Sequence, residues 1–432
     1  MIKLLVLINI FFGMITDATN LSFNIGPINL NLFRISLLLI ILLMVLKIGL
    51  KDKAMISIKK SDNHYSIVFM LIWLLWGLGS VFWVKDLEGW LNSITYLSLG
   101  FILCAVYSRY LNRSTDLLLA FRTIGIMVLF HNLIGWYEFF SQNYLFINDP
   151  YIAAVYGVGR LPVSSFGNTN DFATFLFLSI WIMYVCMVNS KTRITKILSI
   201  ALMTSSFVLI LATNSRANLL GFLLSVIVFL FLSFKKRNTR NILVRFVLLG
   251  LGLMFVFVWI NPNVFYDFLS GLIKNSDFDL SRGLEGSSES TRLNLILNSF
   301  IFLVRTFGFG VGSGNIEYWL QNEVVFPTNN TWYIHNWWIE IMAVYGILIF
   351  IMYIIFYVKL MKSMYKKFMY SDNKIDTTIS LSIIVFMIGF IIASISSHSN
   401  LYNEWLWIFW GIAVAFQGTS LNRTSPNSIS KE

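Results

Sequence analysis

Charge is scarce in this chain. Asp, Glu, Lys and Arg supply 12% of its 432 residues, about half of the roughly 25% usual in soluble globular proteins, and that shortfall excludes a soluble enzyme. Cysteine is nearly absent. Cys104 and Cys186 both fall inside apolar runs, so neither a disulfide framework nor a thiolate metal site is expected, and no redox chemistry is indicated. Strict alternation of apolar and polar residues is also missing, which excludes an outer-membrane barrel. No tandem repeat at a solenoid period is apparent. The opening MIKLLVLINIFFGMITDATN has no small-x-small cleavage site, so a retained first helix is expected rather than a removed signal peptide.

What the chain has instead is apolar length: 57% of its residues are hydrophobic, and the runs are continuous over about 20 residues, enough to cross a bilayer as helices. The expected fold class is all-α, a polytopic membrane bundle of about twelve spans. The spans are placed at Leu4 to Ile15, Phe33 to Leu50, Tyr65 to Trp83, Trp90 to Leu111, Leu117 to Phe140, Phe172 to Val188, Ile194 to Thr213, Leu219 to Phe234, Ile242 to Ile260, Trp337 to Val358, Thr378 to Ser396 and Leu401 to Gln417. Residues 1–418 read as one integral membrane domain and Thr419 to Glu432 as a polar, disordered cytoplasmic tail.

With the amino terminus inside, every cytoplasmic connection is basic, from Lys51, Lys53, Lys59 and Lys60 in one loop to Lys235, Lys236, Arg237 and Arg240 in another. The positive-inside rule therefore puts both termini in the cytoplasm. It also accounts for the net charge of +11: the excess is juxtamembrane and faces anionic lipid, so membrane lipids are partners and nucleic acid is not. Trp73, Trp76, Trp83, Trp90, Trp405, Trp407 and Trp410 lie near the ends of predicted spans, as an aromatic belt would.

Two outer segments are long. Ser141 to Asn170 ends in the polar stretch SSFGNTND, and Asn261 to His335 holds most of the outer charge; structureless loops of such length are uncommon unless they have a function. Within the second, ESTRLNLILNSFIFLV has helical apolar spacing behind a Ser/Thr start and predicts a helix on or in the outer leaflet.

Arginine on the outer side opposes the usual charge distribution. Arg216, in ATNSRANLLGF between two spans with almost no loop, either faces a cavity or snorkels to the headgroups; a cavity is the expectation. Arg292 heads the predicted amphipathic helix, as a ligand for an anion or as a surface charge paired with Glu285 or Glu289. Arg160 and Arg305 are weaker candidates for substrate contact, with solvated or headgroup contacts the default. Of the four histidines, His335 stands at the outer mouth of the tenth span, where a neutral imidazole can take a proton from a hydroxyl. Asn336 and Glu340 accompany it, and Trp338, with Trp332 and Trp337, offers a face for a sugar ring. His64 and His131 read as structural; His398 is a second outer candidate without a motif. Asn170 completes the candidate substrate-binding set. GFGVGSG (Gly308 to Gly314) imitates a dinucleotide loop but lacks a βαβ unit and lies outside, so NAD is excluded. The Asp277 and Asp279 pair is weak evidence for a divalent cation, and Asp17 is as readily a helix-end charge as an external catalytic carboxylate.

The order of SFGNTNDFATF (Ser165 to Phe175), NSRANLLGF (Asn214 to Phe222), STRLNLILNSF followed by GFGVGSGNIEYW (Ser290 to Trp319), and IHNWWIEIMAVYGILIF (Ile334 to Phe350) resembles the O-antigen ligase and Wzy-type polysaccharide polymerase superfamily of bacterial inner membranes. With the hydropathy profile, the resemblance covers most of the chain. It implies a glycosyltransferase without metal or other cofactor, moving glycan from an undecaprenyl-diphosphate-linked oligosaccharide to an acceptor glycan on the outer face. By resemblance, Arg216 and Arg292 hold the diphosphate and His335 activates the acceptor hydroxyl. A polymerase of repeat units is the first expectation and an O-antigen ligase the second, either with partners in polysaccharide export. A flippase of lipid-linked glycan would need a charged path through the spans and duplicated halves, neither of which is seen.

Overall fold

The computed structural model describes residues 1–15, 22–25, 28–49, 62–147, 149–235, 288–397 and 399–420. Its elements are α1 (Ile2–Gly13), a hairpin of β1 (Ser22–Ile25) and β2 (Ile28–Asn31), α2 (Leu32–Gly49), α3 (His64–Gly79), α4 (Leu87–Tyr110), α5 (Ser114–Ser141), α6 (Pro150–Gly159), α7 (Thr169–Val188), α8 (Arg193–Ala212), α9 (Arg216–Lys235), α10 (Ser288–Arg305), α11 (Ile316–Asn322), α12 (Trp337–Tyr370), α13 (Lys374–Ala393) and α14 (Glu404–Gly418). The chain is thus an all-helical membrane bundle. Among the described residues the antiparallel β1–β2 hairpin, with Ser22 opposite Asn31, is the one β element, and it was not expected.

Eight helices among the described residues are long and apolar enough to cross a membrane: α3 with its 3₁₀ extension, α4, α5, α7, α8, α9, α12 and α13. The expected first span is a helix of 12 residues, shorter than the roughly 20 that a bilayer requires. The expected last span is the 15-residue α14. The expected span at Ile242 to Ile260 lies outside the described residues.

The helices begin where side chains can satisfy their first N–H groups. The Asp86 carboxylate accepts from Gly89 N ahead of α4, Asn168 Oδ1 from Asn170 N ahead of α7, and Asn336 Oδ1 from Trp338 N and Ile339 N ahead of α12. Packing around α7, α13 and α14, which are buried along nearly their whole length, forms the core; α8 and α9 lie against the first two from one side, and α4 lies against α14.

Trp73, Trp405, Trp407 and Trp410 belong to this core and not to a belt, being at most 4% exposed. Trp73 stacks obliquely or edge-on with Trp337, Tyr345, Tyr353 and Trp407, arrangements that suit the aromatic quadrupole. Position relative to a span end did not reveal which way these rings turn. Arg34 is likewise buried, its Nε 2.8 Å from Glu404 Oε1 and its guanidinium over the Tyr96 ring.

One helix is broken. Within α12, Gly346 has φ 84° and ψ 174°, a conformation open in practice only to glycine. The main-chain groups released by the break are taken up by the glycine-rich segment: Val311 N donates to Ala343 O, Gly312 N to Val344 O, and Ile347 N to Gly308 O. A Cβ on Gly346 would stand 2.4 Å from Gly308 O, and one on Gly310 2.5 Å from Gly346 N. The segment that imitates a dinucleotide loop is therefore a backbone-to-backbone rivet. It holds the end of α10 to α12 and, through Trp83 Nε1 to Gly310 O and Ser80 Oγ from Ser313 N, to the end of α3.

Candidate functional site

Helices α7, α9 and α12 all begin at one end of the bundle, and polar side chains stitch their first turns together. Ser215 Oγ donates to Asn170 Oδ1 at 2.7 Å, and Asn218 Nδ2 reaches Asn170 O at 3.1 Å and Ser215 Oγ at 2.9 Å. Thr174 Oγ1 donates to Asn218 Oδ1 at 2.9 Å. The chain after α13, Ser394 to Ser399, closes the cluster: Asn218 Nδ2 lies 3.4 Å from Ser396 Oγ, Ser397 Oγ 3.5 Å from Thr174 Oγ1, and Trp337 N donates to Ser394 O. Three helix amino termini, each with a positive partial charge, thus share one polar patch, an arrangement that favours an anion.

Arg216 is the first residue of α9 and is exposed beside this patch; Asn214, in left-handed conformation at φ 56°, makes the turn from α8 that puts it there. Arg292 is exposed on α10, where the expected amphipathic helix is found. Neither forms an ion pair among the described residues. Helix α10 is zipped to the chain that leads into His335: Asn298 bonds Val325 N, Phe326 N and Phe326 O, Asn294 bonds Pro327 O, and Asn329 bonds Thr291 Oγ1. This brings Arg292 near enough to His335 for its charge to act on the imidazole.

His335 is half-buried and takes a left-handed backbone conformation, φ 51°. For a residue with a side chain this costs on the order of 1–3 kcal/mol and persists only where the surroundings impose it. The main chain of Ser397 and Ser396 lies beside its ring and favours the protonated form. Burial lowers its pKa from the ordinary 6.5, Arg292 lowers it further, and that main chain resists in part. The imidazole is therefore neutral at pH 7, the state in which it can accept a proton.

The remaining candidates divide. Asn170 is in the patch, its side chain engaged with Ser215. Asn336 caps α12 through its carbonyl oxygen, and Glu340 lies in the first turn of the same helix with Oε1 accepting from Ser399 Oγ. Trp338 turns inward, donating to Ile391 O and meeting Tyr353 and Tyr357 edge-on, whereas Trp332 is exposed. Arg160 ends α6 in left-handed conformation and is exposed; from the same helix, Tyr156 lies within electrostatic reach of Asp171 in the first turn of α7. Arg305 is at the far end of α10 from Arg292, about 20 Å away at 1.5 Å per residue, and is engaged with Glu323. His131 is structural as expected, its ring between Ser164 Oγ and Met14 O. Asp17, Asp277, Asp279 and His398 lie outside the described residues.

Thr174, Ser215, Asn218 and the serines at 394–399 were not among the expected site residues. Their signal was available in part: each is a small polar residue near the same end of an apolar run. Only packing shows that the runs meet there.

Residues 198–354 match the family model described as "O-Antigen ligase", a range that holds Arg216, Arg292 and His335. The chain is 28% identical over 361 residues, 81% of its own length and 70% of the other's, to "Teichuronic acid biosynthesis protein TuaE" of Bacillus subtilis (strain 168). The family range takes in three of the four sequence motifs, and the apolar helices make the protein multi-pass. Over residues 198–354 the chain is thus similar to the O-antigen ligase family, and over most of its length to a protein of teichuronic acid biosynthesis.

Proposed function

We propose that this chain is a polymerase of lipid-linked oligosaccharide repeat units at the outer face of a bacterial cytoplasmic membrane, with both termini inside. The observation that carries the reading is the approach of Arg292 to a neutral, half-buried His335 beside the patch where α7, α9 and α12 begin. A leaving polyprenyl diphosphate gains negative charge as the bond between the anomeric carbon and the phosphate oxygen breaks. Guanidinium groups and helix amino termini stabilise that charge without reorganising. Arg216 and Arg292 suit the task because each is exposed and neither is occupied by a carboxylate among the described residues.

The new bond joins the acceptor oxygen to the anomeric carbon, and the hydroxyl proton passes to His335. Direct attack from the face opposite the diphosphate inverts the anomeric centre. The division places the cations with the leaving group and the base with the nucleophile. The relative's role in teichuronic acid biosynthesis supports a surface glycan as the product.

The test is complementation of a deletion strain with Arg216→Ala, Arg292→Ala or His335→Ala, followed by glycan electrophoresis. Loss of polymer with one repeat unit left per anchor is expected. Wild-type chain length in all three variants rejects the mechanism, while accumulation of free lipid-linked polymer assigns the chain as a ligase instead.

A further inference from the structure

His335 reaches its position through the segment between α13 and α14. Trp337 N, two residues on, donates to Ser394 O, and the main chain of Ser396 and Ser397 lies beside the ring. The segment is itself fixed at two places. On one side, Asn218 of α9 and Thr174 of α7 meet the Ser396 and Ser397 hydroxyls. On the other, Ser399 Oγ donates to Glu340 Oε1 at 2.5 Å. Glu340 is only 6% exposed, and its second oxygen is buried without a hydrogen-bond partner among the described residues. A carboxyl group so enclosed does not reach a substrate, and its one bond goes to the segment that lies against the imidazole. Asp171 of α7 lies within its electrostatic reach, so a second acidic group faces the latch.

We propose that Glu340 and Ser399 form a latch that positions the base: by clamping the 394–399 segment, they keep the His335 ring aimed at the acceptor hydroxyl. Glu340 is then a positioning residue that touches no substrate. This goes beyond the proposed function and rests on it for the statement that His335 is the base.

The latch makes different demands on different substitutions. Glu340→Ala and Ser399→Ala remove the bond between α12 and the segment. Glu340→Gln keeps an oxygen that accepts from Ser399. The test uses the full-length protein in detergent or nanodiscs, with lipid-linked repeat units extracted from a strain that lacks this chain. Both alanine variants are expected to lower kcat at least tenfold with the KM for the lipid-linked donor within twofold, because Arg216 and Arg292 stand on other elements. Glu340→Gln is expected to keep at least a third of kcat. Modification of His335 by diethyl pyrocarbonate, followed by peptide mapping, is expected to run at least threefold faster in the alanine variants than in wild type or Glu340→Gln.

An unchanged rate of modification overturns the latch. A Glu340→Gln variant as slow as Glu340→Ala also overturns it, since the charge and not the clamp would then matter. A raised donor KM with normal kcat overturns it in favour of substrate contact. Faster modification with kcat unchanged leaves the latch in place and sinks the assignment of His335 as base, so the two failures are told apart. Should Glu340→Ala not fold, Ser399→Ala, which deletes one oxygen, answers the same question.

Discussion

Replacing Arg292 by Gln removes a positive charge that opposes protonation of His335, and the result is readable as a displacement of the acid limb of the pH–rate profile. At a separation on the order of 10 Å, the interaction is about 0.4 kcal/mol if water screens it fully and about 1.7 kcal/mol at an effective dielectric constant near 20. At about 1.36 kcal/mol per pH unit, the limb moves by about 0.3 to 1.2. The sign follows from the role of the ring. A base works when neutral, so activity is lost as pH falls through the folded pKa, which lies below the usual 6.5. Without Arg292 that pKa rises, and the limb moves to higher pH. The quantity to measure is kcat/KM with the lipid-linked donor limiting, because it reports the free enzyme, in which no bound diphosphate neutralises Arg292. Arg216 is not among the charges that act on His335, so Arg216→Gln lowers the rate while its limb stays in place. Salt at about 1 M screens exposed charges and should move the wild-type limb in the same direction as the substitution. Coincident acid limbs in wild type and Arg292→Gln, or a limb displaced to lower pH, would refute the electrostatic pairing.

Two further outcomes concern the scaffold. Gly346→Ala forces a side chain into a conformation reserved for glycine and against Gly308 O, and thermal unfolding in detergent should show a loss of at least about 3 kcal/mol or failure to accumulate in the membrane; wild-type stability would mean that the break in α12 is not needed. Arg34→Ala takes the cation from the buried Glu404 carboxylate while Asn31 Nδ2 still donates to it and should cost about 3–5 kcal/mol, whereas the double variant Arg34→Met with Glu404→Leu should recover most of it, because the expense lies in a buried charge without its counter-charge. An equal loss in both would place the effect in packing.

The membrane-spanning architecture was legible because the hydrophobic signal is local: a run of about 20 apolar residues has few soluble alternatives. Helix α10 was legible for the same reason, its apolar spacing and Ser/Thr start both lying within 18 residues. Arg216 and Arg292 stood out as cations on the side where cations are scarce. The serine segment did not stand out, since Ser394 and Ser396 lie at the end of the predicted span Thr378 to Ser396, where a hydroxyl is as often turned to solvent. The partners of Ser396 and Ser397, Asn218 and Thr174, are 178 and 223 residues away along the chain, a separation that periodicity does not cross. The tryptophans misled in the opposite way. A belt and an aromatic core draw on the same residues, and only the direction of each ring separates them.

Sequence order does not set the spacing of the reactive groups; two staples do. Arg292 and His335 are held in register by contacts within one stretch of chain, the α10 zipper through Asn298 and the glycine rivet at Gly346. Arg216 belongs to another stretch, and the structure ties it to His335 by way of Asn218 and the serine segment. The diphosphate subsite is therefore divided between two bodies that side-chain hydrogen bonds join, each with a modest net contribution of about 0.5–1.5 kcal/mol. A donor whose phosphates engage both arginines favours the arrangement in which the two stretches meet, and that same arrangement seats the imidazole. Binding energy from the diphosphate is in this way directed to assembling the base, the kind of coupling by which contacts remote from the reacting bond raise kcat instead of only lowering KM.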